Sequence, residues 1–429
     1  MLILLFGSFL ILCILKVPVA FAMFLSSTLA IWAQGDVPLT IVTQRIWVGL
    51  NNFPLLAVPF FLFIGQLMNE TGISGRLIQF SESLVGHLKG GLAHVNVVVS
   101  MIFAGISGVS SADTLGVGSV LIPAMVKKGY EKGFTAGVTA ASSTLGNIIP
   151  PSVMMIIYAA TAGLSVGAMF LTGLIPGLMI GIGQMAYSYY FAVKHGIGAE
   201  QKFSLRKLLA NTKAAIFALA IPVIVIGGII GGIFTATEAS VIAVVYAFVL
   251  SVFFGEFRFG KFYRVIKDSV GLFSLSLFCV AAASLWGWIL AYYNVPQIVV
   301  SYLVAIGLLS STLYVFIFVI IIFLVIGTFM DAIPAIIILQ PIIGELALEA
   351  GINPYHMGIV VVLTLAIGLI TPPYGLCILI ASDLASISVP RAVMSLIPFF
   401  IISFLVVLFA VNFPDAMLSI PRLVMPKFM

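Results

Sequence analysis

Gly146-Asn147-Ile148-Ile149-Pro150-Pro151-Ser152-Val153-Met154-Met155-Ile156-Ile157-Tyr158-Ala159-Ala160 is apolar enough for a membrane helix, yet two adjacent prolines sit at its middle. Each proline lacks an N–H and collides with the preceding turn, so a helix must break there. The pattern recurs as Gly368-Leu369-Ile370-Thr371-Pro372-Pro373-Tyr374-Gly375-Leu376-Cys377-Ile378-Leu379-Ile380-Ala381-Ser382 at a constant offset of 222 (368 − 146; 372 − 150). The glycine, both prolines, Ile156/Ile378 and Ala159/Ala381 coincide at that offset. Paired, interrupted hydrophobic segments in two halves of a chain point to the binding site of a secondary transporter.

The surrounding composition agrees. Of 429 residues 62% are hydrophobic and 8% charged, against about 25% charged in a soluble domain. The chain reads as an all-α polytopic membrane protein. Cys13, Cys279 and Cys377 lie in apolar runs and form neither a disulfide framework nor a metal motif. The net charge of +5 comes from short loops, which orientation in a bilayer explains better than nucleic acid does. The apolar start, Met1 to Leu15, has no positively charged leader and reads as retained helix.

Outward from the broken segments, spans are expected at 2–15, 17–33, 53–69, 168–193, 214–234, 237–254, 270–292, 296–309, 312–326 and 391–413, with broken helices at 134–163 and 356–386. A polar loop holds Asp36 and Arg45, residues 70–91 read as an amphipathic surface helix, and charged loops cover 194–213 and 258–267. Residues 95–126 place Gly/Ser-rich 107–111 between two short apolar flanks, the pattern of a re-entrant hairpin. A second hairpin is expected from Gly327 to near Glu349. Asp113/Asp331 and Pro123/Pro341 are 218 apart while Gly105/Gly327 are 222 apart, so the first hairpin is expected to carry four extra residues near its tip. Threaded through a bilayer, this layout puts sixteen of the nineteen Lys and Arg on one face, all but Arg45, Arg422 and Lys427. That face is then cytoplasmic, both termini are outside, and the two halves form an inverted repeat.

A helix broken at mid-membrane offers carbonyls for a cation and N–H groups for an anion. One Na+ site is therefore expected among Ser107, Ser110, Gly146, Ile149 and Pro151, and a second among Gly327, Gly368, Thr371 and Tyr374. Carboxylates inside a membrane are expensive and functional by default. Asp113 and Asp331 follow the hairpin tips closely and are expected to cap helices; Asp383 lies near a helix end and is expected to be solvated. Thr235–Glu238 reads as a cap or partial capping box, and Trp286, Trp288, Tyr292 and Tyr293, with Trp32 and Trp47, as an interfacial aromatic belt.

Gly105-Ile106-Ser107-Gly108 with Ser110-Ser111-Ala112-Asp113, then Leu121-Ile122-Pro123, Ile149-Pro150-Pro151-Ser152 and Thr371-Pro372-Pro373-Tyr374-Gly375 together resemble the large membrane (M) subunit of TRAP transporters, the tripartite ATP-independent periplasmic transporters. The resemblance covers essentially the whole chain. It implies a sodium-coupled importer of organic anions in a bacterial inner membrane, fed by a periplasmic substrate-binding protein and paired with a separate small four-helix membrane subunit. It also implies the elevator fold of the wider ion-transporter superfamily. Scaffold helices would occupy 1–91 and 195–310, the transport domain 92–194 and 311–390, and a final helix and tail 391–429. The anion would sit near Asn147, Pro151, Ser152 and Pro373–Gly375, where half-helix N-termini converge. Family substrates include C4-dicarboxylates and sialic acid, and no residue here chooses between them.

Three other readings compete. A stand-alone sodium/carboxylate symporter would share the fold without a binding protein. An intramembrane aspartyl hydrolase would use Asp113 and Asp331, but the chain has no HExxH motif. A channel fits an inverted repeat of broken helices less well than alternating access does.

Overall fold

The computed structural model describes residues 2–199, 201–255, 257–373 and 375–428. It is helical throughout, with no strand among the described residues. In chain order the first half runs α1 (Leu2–Ile14), α2 (Val19–Gln34), α3 (Thr40–Leu50), α4 (Ala57–Glu70), α5 (Ile73–Val85), α6 (Gly91–Ser107), α7 (Ser110–Lys127), α8 (Lys132–Ser143), α9 (Val153–Ala162), α10 (Val166–Thr172) and α11 (Leu174–Lys194). The second runs α12 (Leu205–Ile230), α13 (Ala236–Phe253), α14 (Phe259–Tyr292), α15 (Val295–Ala305), α16 (Thr312–Gly327), α17 (Ala332–Glu349), α18 (Pro354–Gly368), α19 (Leu376–Leu384), α20 (Val389–Asn412) and α21 (Pro414–Val424). Among the described residues, seven helical stretches are long and apolar enough to cross a membrane.

Both broken helices and the first hairpin form as the sequence indicates. α8 continues through a 3-10 turn, Thr144–Asn147, before the prolines separate it from α9. α6 and α7 turn at Gly108–Val109, with Gly108 in the left-handed region that glycine enters without strain (φ +67°). The amphipathic segment is α5, which buries Ile73, Leu77 and Val85.

Several expectations need correction. The polar loop after α2 contains a helix, α3, which packs on α14 and places the Arg45 guanidinium over the Trp288 ring at 5.1 Å. The charged loops are partly helical: α12 starts at Leu205 and α14 at Phe259, because Lys and Arg are good helix formers and carry each helix beyond its apolar span. The segment 312–326 is not a separate span. It is α16, about 24 Å long at 1.5 Å per residue, and it forms the first arm of the second hairpin, with α17 as the other arm and 328–331 as the tip. The preceding α15, 11 residues long, is too short to cross, so the two removed crossings cancel and the sidedness is unchanged. Trp286 is no belt residue: it is 1% exposed beneath Phe6 and Phe9 of α1, whereas Trp32 and Trp47 are largely exposed. The tail beyond 413 includes α21, which buries Met417 and Leu418.

The repeat is tighter than the motifs suggested. α7 and α17 start and end 222 residues apart (332 − 110; 349 − 127), as do the starts of α5 and α15 (295 − 73) and of α8 and α18 (354 − 132). The first hairpin therefore has no four-residue insertion. Asp113 and Asp331 are not counterparts; at the offset of 222 they match Ala335 and Val109.

Inversion is visible in the contacts. The Glu70 carbonyl ending α4 accepts from Lys261 Nζ near the start of α14, while the end of α14 meets α3 through Trp288 and Arg45. The counterpart of α4 at 279–292 thus runs antiparallel to it. Gln201 Nε2 donating to the Glu82 carbonyl, Arg76 over Phe254 and the Lys261 contact gather basic segments at one end, as threading required. At the other end, Thr237 Oγ1 donates to the Phe53 carbonyl.

The halves are held differently. Asn96 Nδ2 donates to Thr139 Oγ1 (2.7 Å), Ser142 Oγ to Asn96 Oδ1 (3.0 Å) and Ser100 Oγ to Ser142 Oγ (3.0 Å), tying α6 to α8. The second-half counterparts of Asn96, Ser100 and Thr139 are Phe318, Ile322 and Val361, so α16 meets α18 largely through apolar side chains. In lipid, such buried polar pairs contribute modestly to stability but fix which helix faces which.

Candidate functional site

The first hairpin tip docks into the first break. The Gly108 carbonyl accepts from the Val153 N–H (3.1 Å), and a Cβ added at Gly108 would stand 2.6 Å from the Pro151 carbonyl oxygen. Ser152 caps α9, accepting from Met155 N–H (3.3 Å) while its hydroxyl donates to the Asn147 carbonyl (2.5 Å). Asn147 Oδ1 in turn accepts from the Ser110 N–H at the start of α7 (3.4 Å).

Ser107, Ser110 and Gly146 of the expected first cation site come together here, and the structure adds Asp113. Ser107 Oγ donates to Asp113 Oδ1 (2.5 Å). Asp113 Oδ2 and Ser110 Oγ are buried without a protein partner. Gly146 faces the carboxylate oxygen and the start of α7: a Cβ there would lie 2.6 Å from Asp113 Oδ2 and 3.2 Å from the Ser110 backbone nitrogen. Asp113 is therefore not a helix cap; Val109 is the N-cap of α7 and Asp113 sits one turn inside. A buried ionised carboxylate oxygen with no partner is costly, and a proton on it or a small hard cation beside it would meet that cost. Ile149 and Pro151 belong to the same break, with the Ile149 side chain over Gly177 and the Pro151 carbonyl over Gly108.

The second site is differently furnished. Gly327 and Gly368 touch, a Cβ on Gly368 falling 3.0 Å from the Gly327 Cα, and Thr371 Oγ1 donates to the Ile367 carbonyl (2.8 Å). Tyr374 lies outside the described residues. Counterparts of Ser107, Ser110 and Asp113 at the offset are Phe329, Ala332 and Ala335, so the second half repeats the backbone without the hydroxyls or the acid. Asp331 is the N-cap of α17, accepting from the Ala332 N–H (2.8 Å).

Between the hairpins and the breaks lies a cavity of about 430 Å³. Its wall brings together four helix starts: Ser110–Ala112 of α7, Val153 and Met154 of α9, Asp331–Ile333 of α17 and Leu376 of α19. Asn147 lines it, as expected of a substrate residue. Ser152, Pro373 and Gly375 do not: Ser152 is consumed as a cap and fully buried, Gly375 is buried against the Thr371 carbonyl, and Pro373 is exposed away from the cavity. Unforeseen wall residues are Ser111 and, from α4 and α14, Gln66, Asn69 and Ser276. Gln66 and Asn69 were visible in the sequence as the polar positions late in the span 53–69.

A sequence profile described as "Tripartite ATP-independent periplasmic transporter, DctM component" matches residues 6–416. The C4-dicarboxylate TRAP transporter large permease protein of Pseudomonas aeruginosa is 36% identical, covering 88% of each chain. The sialic acid TRAP transporter large permease protein of Vibrio cholerae is 34% identical, covering 95% of each. Among solved structures, the Alcanivorax borkumensis YdaH transporter superposes with a TM-score of 0.59 at 13% identity, covering 88% of this chain and 89% of that one, a likeness of fold.

Proposed function

This chain belongs to the DctM component family of tripartite ATP-independent periplasmic transporters, and on that premise we propose that it is the sodium-coupled membrane permease for an organic carboxylate delivered by a periplasmic binding protein. The observation that carries the reading is the convergence of four half-helix N-termini on one cavity, next to the unpartnered Asp113 carboxylate oxygen. Helix N-termini present N–H groups and a partial positive charge to an anion. The relatives named for sialic acid and C4-dicarboxylate support a carboxylate as that anion.

The coupling ion follows from the charges. Asp331 places an acid in the cavity wall and Asp113 another beside it, so a carboxylate entering alone meets repulsion. Sodium held by Ser107, Ser110, Asp113 and Gly146 offsets that charge, and the carbonyls near Gly327, Gly368 and Thr371 offer a second, neutral site. The fit rests on the donor set: hydroxyl, carbonyl and carboxylate oxygens are hard ligands suited to Na+. Loading the cations first then favours the anion, which is coupling in thermodynamic form.

In the elevator reading, α6–α11 with α16–α19 form the moving body, and α1–α5 with α12–α15 the scaffold, enlarged by a small membrane subunit. The basic end faces the cytoplasm of a bacterial inner membrane. The test is uptake of labelled sialic acid and C4-dicarboxylates into proteoliposomes holding this chain and its small subunit. Uptake requiring both an inward sodium gradient and the binding protein supports the proposal. Sodium-driven uptake without the binding protein identifies a stand-alone symporter, and uptake driven by protons alone discards the sodium sites.

A further inference from the structure

The cavity among the helix starts is not closed. It shares Gln66, Asn69 and Leu115 with a second chamber of about 710 Å³, whose walls include Gly116, Ser119, Lys267 and Asp268. That chamber lies at the basic end of the molecule, where Lys261 reaches the Glu70 carbonyl at the end of α4.

Between the chambers, α4 touches α7. A Cβ built on Gly116 would stand 2.4 Å from Asn69 Nδ2 and 2.7 Å from its Cγ, so the approach depends on glycine at 116. One turn back on α4, Gly65 rests on Ser107 in the same way, a Cβ there lying 2.8 Å from the Ser107 Cβ. Gln66 is held from α14, its Oε1 accepting from Ser269 Oγ (2.7 Å). Asn69 Oδ1 is buried with no partner in the protein. Leu62, Leu115 and Leu275 make the rest of this part of the wall apolar.

We infer that the two chambers are successive compartments of one route, that the organic anion leaves toward the basic face between α4 and α7, and that the Asn69–Gly116 contact is the threshold it crosses. The inference rests on the carboxylate-import reading for the identity of the cargo. Asn69 is then a positioning residue: its Nδ2 hydrogens can donate to a carboxylate without a full charge, so it can be met and left. The contact joins the two bodies that the elevator reading sets in relative motion, so the threshold exists only when α4 and α7 stand side by side.

The test uses the full chain with Cys13→Ser, Cys279→Ala and Cys377→Ala, carrying Ser111→Cys in the cavity wall. Inside-out membrane vesicles are treated with an impermeant sulfonate-bearing methanethiosulfonate, and labelling of Cys at 111 is timed. Labelling from this side, lost on adding Gly116→Leu and accelerated by adding Asn69→Ala, is expected. Equal labelling rates in all three, or none from this side in the parent, overturns the inference. If Gly116→Leu does not purify as a monodisperse protein, Asn69→Ala decides: faster labelling supports the threshold and an unchanged rate removes it. Uptake assayed separately keeps the readings apart, because the labelling pattern can hold while carboxylate uptake fails, which would sink the cargo and leave the route.

Discussion

Asp113→Asn removes one charge from the proposed first cation site while keeping its shape. The amide can still accept from Ser107 Oγ, now 2.5 Å from Asp113 Oδ1, so the hairpin tip keeps its main side-chain contact. What is lost is attraction for a cation beside Oδ2, the buried oxygen with no partner facing Gly146. Two unit charges at 4 Å attract by about 4 kcal/mol at an effective dielectric of about 20. Part of that is cancelled because the empty site must hold a desolvated carboxylate. If about half survives, the net is about 2 kcal/mol, or roughly a thirtyfold weaker sodium affinity. Two measurements check this. Sodium titration of uptake should shift its midpoint upward by about that factor. Sodium should raise the thermal midpoint of the wild type in detergent and fail to do so in the variant at the same concentration, since a ligand stabilises by its concentration relative to its dissociation constant. Asp331→Asn, which alters a cap, should leave the sodium dependence of stability nearly intact. An unchanged sodium midpoint in Asp113→Asn, with normal sodium stabilisation, would refute the assignment of Asp113 to the cation.

Other outcomes follow from single contacts. Gly108→Ala puts a methyl 2.6 Å from the Pro151 carbonyl at a φ of +67°, so it should abolish uptake and destabilise the protein by about 1–3 kcal/mol, read as a lower denaturation midpoint. Trp286→Ala opens a void beneath Phe6 and Phe9 and should destabilise by about 3–5 kcal/mol without changing the sodium midpoint of whatever protein remains folded. Asn96→Leu leaves Ser142 and Thr139 without their buried partner; it should loosen α6 from α8, seen as faster amide exchange across α8, whereas Phe318→Leu in the matching position should not. Thr235→Ala removes a complete capping box, in which Thr235 Oγ1 accepts from Glu238 N–H and Glu238 Oε2 from Thr235 N–H, and should cost about 1 kcal/mol of stability with uptake unchanged.

The breaks were legible because a double proline has one physical meaning in an apolar stretch, and the repeat because its spacing is conserved to the residue. The gathering of basic segments at one end was legible because charge bias survives two compensating miscounts, at α15 and α16. The role of Asp113 was not. A tip aspartate and a one-turn-in aspartate look alike in sequence, and only the turn at Gly108–Val109 shows that Asp113 points back to Ser107 and Gly146 rather than capping. The cavity wall was half legible. Asn147 could be named from the break, but Ser152 is spent on a cap, and Gln66 and Asn69 arrive from α4, whose contact with the hairpin no local pattern encodes. Trp286 failed for the same reason: an aromatic cluster says nothing about which member lies beneath another helix.

The antiparallel disposition of the two halves bears on biogenesis. From Asp268 to Pro390 the chain contains no lysine or arginine, and this stretch holds the second hairpin and the second broken helix. Orientation during insertion is read from basic residues flanking spans. That stretch therefore brings no signal of its own. It is anchored by Arg258, Lys261, Arg264 and Lys267 before it and by Arg391 after it, while the first half is pinned at several points along its length. A ribosome releasing this protein hands the membrane well-marked spans and then a passive stretch holding the second hairpin and broken helix, whose upside-down placement is inherited from the segment already inserted.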